Sequence, residues 1–151
     1  MDPLKIDTVR LSDEGDALVI IDQTLLPNEV KYLSLTRTED IWEAIRTLRV
    51  RGAPAIGVAA AFGAYLAAFY APDAELEARF LAACDYLATS RPTAVNLFWA
   101  IRRMEALWRA NEDKNKDELY LIMEKEAKNI HDEDIEINKS IGRFGQEILP
   151  E

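Results

Sequence analysis

Two places in this 151-residue sequence set an arginine directly ahead of a helix start, and both have the form of a small-anion site. In Arg49-Val50-Arg51-Gly52-Ala53-Pro54, Gly52 has no Cβ to hold a ligand away from the backbone. Pro54 suits the first helical position, where no N–H is needed. The unbonded amides of such a turn and the helix dipole attract negative charge, and the planar fork of Arg51 can donate to two phosphate oxygens. In Ser90-Arg91-Pro92-Thr93, the proline biases Arg91 toward extended backbone, and Thr93 is placed to cap a helix beginning at Ala94. Neither segment continues into Gly-Lys-Ser/Thr, so neither is a Walker-type loop. An arginine beside such a turn is more often a surface or carbonyl-capping residue, and spacing alone leaves both segments as candidates.

The remaining reactive residue types have blander explanations. Cys84 sits in Phe80-Leu81-Ala82-Ala83-Cys84-Asp85, on an Ala- and Leu-rich helix where a thiol is expected to be buried and structural. His131 is the only histidine and has no Cys or Ser beside it, so no triad can be drawn. The neighbouring Asp132-Glu133-Asp134 reads as a solvated helix face rather than a metal site. Trp42, Trp99 and Trp108 are expected to be packing residues, not a stacking platform. No catalytic group, metal site or cofactor motif emerges from the residues themselves.

The elements that must position the two arginines follow from periodicity. Residues 7–11, 17–22 and 30–35 are β-branched or alternating runs separated by turn residues, which predicts a three-stranded antiparallel meander. From Thr38, taken as an N-cap, Ile41, Ile45 and Leu48 recur on one helical side opposite Glu39, Glu43 and Arg46. Ala53 to Ala71 carries no charge. Its Ala and Gly content and its lack of a second hydrophobic span favour a helix buried in a bundle over a membrane span. Further helices are expected from Ala74 to about Leu87, capped by Asp73, and from Ala94 to about Ala110. A long one should start near Lys116, on which Leu119, Met123, Ala127, Ile130, Ile137, Ile141, Phe144 and Ile148 form one stripe interrupted by Asp134. The expected class is α+β: a small three-stranded sheet packed on a bundle of about five helices.

Composition bounds the function. Eighteen Lys+Arg against 27 Asp+Glu give a net charge of -9 and a pI near 4.7, so the average field repels nucleic acid and anionic membranes. Any bound phosphate must sit at a local exception. The acidity is concentrated late: residues 112–151 hold 6 basic and 12 acidic side chains. One Cys allows no internal disulfide. With the plain start Met1-Asp2-Pro3-Leu4-Lys5, this points to a cytoplasmic protein. The end, Leu149-Pro150-Glu151, reads as a boundary within a longer protein.

The string Val50-Arg51-Gly52-Ala53-Pro54-Ala55-Ile56-Gly57-Val58-Ala59-Ala60-Ala61 resembles a block of the methylthioribose-1-phosphate isomerases. Asp22-Gln23-Thr24-Leu25-Leu26-Pro27, Ser90-Arg91-Pro92-Thr93-Ala94-Val95-Asn96-Leu97 and Asp134 to Gly145 resemble three further blocks, in matching order. The resemblance covers essentially residues 1–151 and is to the amino-terminal domain of that family. It implies an intramolecular aldose-ketose isomerase of methionine salvage, converting 5-methylthioribose 1-phosphate to 5-methylthioribulose 1-phosphate without metal or nicotinamide. It implies further that Arg51, Gly52, Ala53 and Arg91 bind the sugar phosphate, and that the full-length protein is a homodimer. The family's catalytic cysteine and aspartate belong to a Rossmann-like carboxy-terminal domain beyond residue 151, and Cys84 matches neither. The chain by itself is therefore expected to be inactive. Two alternatives stay open. One is a non-catalytic regulatory or interaction module like the exchange-factor subunits of translation initiation in the same superfamily. The other is a relative of ribose-1,5-bisphosphate isomerase, whose Arg-Gly-Ala string lacks the Pro-Ala-Ile-Gly that follows here.

Overall fold

The computed structural model describes residues 7–148. The Met1–Lys5 start and the Leu149–Glu151 end, on which two of the expectations fall, lie outside them. Three strands open the chain: β1 (Val9–Leu11), β2 (Leu18–Ile21) and β3 (Tyr32–Leu35). They pair antiparallel in the order β1-β2-β3, with Val9 opposite Ile20, Leu11 opposite Leu18, and Leu18 opposite Leu35. Alternation puts Val9, Leu11, Leu18 and Ile20 into the core with Leu33 and Leu35 packed against them. The β1–β2 turn is closed by the Ser12 hydroxyl, which accepts from the Asp16 and Ala17 amides at 3.0 Å each.

Five helices follow: α1 (Thr38–Arg46), α2 (Ala53–Phe69), α3 (Leu76–Ala88), α4 (Val95–Ala110) and α5 (Lys116–Ile148), with a 3-10 turn at Asp73–Glu75 ahead of α3. The uncharged α2 is the axis of the bundle. It contacts all four other helices as well as β1 and β2, and from Ile56 to Leu66 every residue is buried. A helix apolar on all sides is stable only when surrounded, and the sheet and four helices surround it. No helix of the described residues is long and apolar enough to cross a membrane.

Small residues set how closely the neighbours approach. A Cβ on Gly57 would lie 2.8 Å from the backbone oxygen of Asn96, so the first turns of α2 and α4 are in backbone contact. Arg51 lies two residues ahead of α2 and Arg91 four residues ahead of α4.

The helix starts differ from expectation in detail. Thr38 is the first helical residue, and Arg37 holds the cap position without a side-chain cap bond. Asp73 lies in the 3-10 turn rather than capping α3; its carboxylate is drawn instead to Lys116 at the start of α5. Ala94, not Thr93, is the cap residue of α4, because the Ala94 amide closes a turn on the Arg91 carbonyl at 3.0 Å. Pro54 is the second residue of α2 rather than the first. Asn115 does cap α5, accepting from the Glu118 amide at 3.0 Å.

The apolar stripe of α5 divides in two. Leu119, Met123, Ala127 and Ile130 are buried against the bundle, whereas Ile137, Ile141, Phe144 and Ile148 are exposed. Of the tryptophans, Trp108 is buried and stacks on Phe80 at 4.6 Å. Trp42 stacks on Tyr86 at 5.5 Å. Trp99 departs from the expected packing role: it is 47% exposed on α4 and lies under the Arg103 guanidinium.

Candidate functional site

The first arginine loop is built by the way α1 ends. Leu48 takes φ 67°, the left-handed turn residue that ends many helices and that is usually glycine or asparagine. The Val50 amide then returns to the Ala44 carbonyl at 3.0 Å, and Val50 is buried. Arg51 emerges exposed. Gly52 has φ 97° and ψ 125°. Nothing lies within 4 Å of where its Cβ would be, so backbone conformation rather than crowding requires glycine there. The first intrahelical bond of α2 runs from the Ile56 amide to the Gly52 carbonyl at 3.1 Å. The amides of Ala53 and Ala55 precede it, and Pro54 has none.

The second loop follows α3. Ser90 is buried and its hydroxyl donates to the Leu87 carbonyl at 2.6 Å. Arg91 is half-buried, Pro92 and Thr93 are exposed, and α4 begins two residues later.

α1 is the frame common to both loops. Trp42 donates from its indole N–H to the Thr89 hydroxyl at 2.9 Å, and Arg46 reaches the Ser90 carbonyl at 3.4 Å. On the other side Glu43 accepts from Arg49 Nε at 3.0 Å. A short amphipathic helix thus ties together two loops some forty residues apart in sequence.

Between the loops lies a cleft of about 530 Å³ lined by Leu48, Arg51, Gly52, Ala53, Ile56, Arg91, Thr93, Ala94, Val95 and Asn96. All four residues singled out from the sequence line it together. None of its lining residues is acidic, although the chain carries nine excess negative charges. The cleft is thus locally basic within an acidic chain. The lining also contains no carboxylate, histidine, cysteine, lysine or tyrosine, so the cleft offers donors and positive charge but no group suited to proton transfer near neutral pH.

A second, more apolar groove of about 430 Å³ adjoins the cleft, sharing Val95 and Asn96 with it and adding Pro54, Val58, Trp99, Ile130 and Ile137 together with two carboxylates, Glu133 and Asp134. Sequence reasoning did not anticipate it. Trp99 reads as a packing residue in the sequence, and only the docking of α4 on α2 and α5 shows that it faces a groove.

The other candidates behave as structural groups. Burial, helped slightly by Glu105 and Asp85, pushes the Cys84 thiol well above its ordinary range, which makes it a poor nucleophile. His131 packs against Phe62 and lies 3.1 Å from Asp132. Glu133 is paired with Arg103, which joins α4 to α5. Among the described residues no three His, Cys, Asp or Glu side chains are grouped to hold a metal ion.

Fold and cleft together define an α+β domain that presents two arginines and the N-termini of α2 and α4 to a single small space. The model of the Initiation factor 2 subunit family matches residues 49–151, and the chain belongs to that family. Over 150 residues it is 49% identical to the methylthioribose-1-phosphate isomerase of Symbiobacterium thermophilum, covering 97% of this chain and 42% of that protein. It is 51% identical over 144 residues to the 5-deoxyribose 1-phosphate isomerase of Petrotoga mobilis, covering 93% of this chain and 42% of the relative. Among solved structures it resembles 5-methylthioribose 1-phosphate isomerase from Pyrococcus horikoshii OT3, with TM-score 0.91, 40% identity and coverage of 97% and 42%. It also resembles the delta subunit of the translation initiation factor eIF-2B from A. fulgidus, with TM-score 0.85, 35% identity and coverage of 97% and 43%. The chain thus spans about two-fifths of the length of the relatives it matches.

Proposed function

We propose that this chain is the phosphate-anchoring, substrate-binding domain of an isomerase that converts 5-methylthioribose 1-phosphate to 5-methylthioribulose 1-phosphate. The observation that carries the reading is the cleft itself, which Arg51, Arg91, Gly52 and Ala53 line together and whose own lining holds no acidic side chain. The Arg51 and Arg91 guanidiniums and the Ala53 amide neutralise the phosphate and fix one end of the sugar. Converting the ring aldose phosphate to the ketose breaks the C1–O4 ring bond, moves hydrogen from C2 to C1, and takes the O2 proton while O4 gains one, which requires an acid and a base. The cleft supplies neither, and those groups come from a second domain, so the 151-residue chain alone binds but does not turn over. The unpartnered stripe Ile137, Ile141, Phe144 and Ile148 gives such a domain an apolar surface to pack on. Relatives named for the methylthio and the 5-deoxy sugar phosphate both fit this arrangement, since the two substrates share the 1-phosphate that the arginines would hold.

The test is calorimetric titration of the chain with inorganic phosphate and with ribose 1-phosphate. Arg51→Ala and Arg91→Ala are each expected to lose about 1.5–3 kcal/mol of binding, the worth of a charge-assisted hydrogen bond. Unchanged affinity in both would remove the assignment. In a full-length enzyme the same variants are expected to raise KM.

The likeness to the eIF-2B delta subunit supports a second reading, a non-catalytic module whose cleft senses a ligand or serves a protein contact. The two readings separate in the full-length protein: isomerase activity supports the first, and phosphate binding without turnover supports the second.

A further inference from the structure

Asp22 is the only charged side chain among the described residues that is almost wholly buried, at 2% exposure. Desolvating a carboxylate is costly unless donors surround it, and here they do. The Thr24 amide and hydroxyl donate to one oxygen at 3.0 and 2.6 Å. Arg49 donates to the other, while its Nε reaches Glu43. The backbone repeats the connection, with the Gln23 amide donating to the Arg49 carbonyl at 3.1 Å. The end of β2 is thereby stitched to the segment that runs straight on into Arg51 and Gly52. Neither Asp22 nor Arg49 lines the cleft, so neither is placed to touch a ligand there.

From these contacts we infer that Asp22 is a positioning residue for the anion site: acting through Arg49, it holds the Arg49–Gly52 backbone so that Arg51 and the start of α2 line one cleft with Arg91. The inference rests on the anion-binding reading of that cleft. A guanidinium and amides recognise phosphate well only when held within about 0.5 Å of the productive geometry. Beyond the buried Val50, the exposed Arg51 and the positive-φ Gly52 have little local structure of their own to provide this. The carboxylate supplies a fixed, charged anchor at the loop's root. Thr24 keeps that anchor from turning, and Glu43 holds the same guanidinium from α1.

The experiment compares the 151-residue chain with Asp22→Asn, Arg49→Met, the double variant, and Met123→Ala as a control. Met123 is buried on α5, a helix that contributes nothing to the cleft, so its truncation lowers stability without touching the loop. Two quantities are read well below each melting temperature: exchange of the Gln23 and Val50 amide hydrogens, and the dissociation constant for inorganic phosphate. Asp22→Asn is expected to speed both exchanges at least tenfold and to weaken phosphate binding at least fivefold, while Met123→Ala changes neither. Because Asp22 acts through Arg49, the double variant is expected to bind no worse than the weaker single one. Should Asp22→Asn fail to fold, Arg49→Lys reads the same link, since it keeps the charge but loses the fork that spans Asp22 and Glu43. A wild-type chain that binds phosphate beside an Asp22→Asn chain that binds equally well overturns the inference, as do losses that add in the double variant. A wild-type chain that does not bind phosphate overturns the anion-site reading itself, and the wild-type titration tells the two failures apart.

Discussion

Burial by itself would raise the carboxyl of Asp22. The Thr24 side chain and amide and the Arg49 guanidinium outweigh it and hold the group below the ordinary carboxylate range. A group whose pKa is depressed by folding adds stability in full above its unfolded value, about 3.9 for Asp, and loses it as pH falls through the folded value. The stability gap between the native chain and Asp22→Asn is therefore expected to be largest near neutral pH and to close below about pH 4. Urea unfolding midpoints at neutral and acid pH check this, and a gap that widens in acid would contradict it. At this scale the sequence was readable where the chemistry is local. Arg51-Gly52-Ala53 carries its geometry in adjacent residues, whereas the cap expected of Thr93 after Arg91 falls on Ala94. Asp22 and Arg49 meet across 27 positions, and nothing in either neighbourhood announces the other.

Helices are recognisable from their period, and all five stand close to where the apolar spacing puts them. Their first residues are another matter. Thr38, Asp73 and Thr93 all have the side chain of a cap, and none caps the helix assigned to it. Capping is worth only about 1 kcal/mol, so a tertiary partner such as Lys116 for Asp73, or a tight turn such as Arg91–Ala94, displaces it easily. The packing of α2 on α4 is stiffer. Gly57→Val is expected to destabilise the chain by roughly 1–3 kcal/mol, because a β-branched side chain must push the Asn96 carbonyl away. It should also weaken phosphate binding, since the same displacement moves the Arg91 loop relative to the Arg51 loop. Thermal unfolding together with titration checks both. A variant as stable as the parent would show that the helix contact yields.

At the scale of the molecule, one apolar core closes around α2 while half of α5 is left out of it. Ile137, Ile141, Phe144 and Ile148 are 59%, 64%, 58% and 84% exposed, so they contribute little to folding the chain that carries them. Replacing Ile141 and Phe144 together by Lys is expected to shift the melting temperature by no more than about 2 °C, as for ordinary surface positions. It should also reduce self-association and binding of an apolar dye. Sedimentation and dye fluorescence read the second effect. A large loss of stability would mean that the stripe is covered within the chain itself.

The sequence alone determined whatever depends on near neighbours and on period: the order of strands and helices, the α+β class, the burial of an uncharged central helix, and two arginine loops poised at helix starts. It also carried the family resemblance, which rests on those same contiguous strings. Tertiary structure alone decided which side of each pattern finds a partner. It brought Arg51 and Arg91 to one cleft through the α2–α4 contact at Gly57, turned Trp99 outward, joined Asp22 to Arg49, and divided the α5 stripe into a buried half and an open one. The reason is physical: periodicity says which residues share a face, but only the packed bundle has a finite amount of surface to cover them.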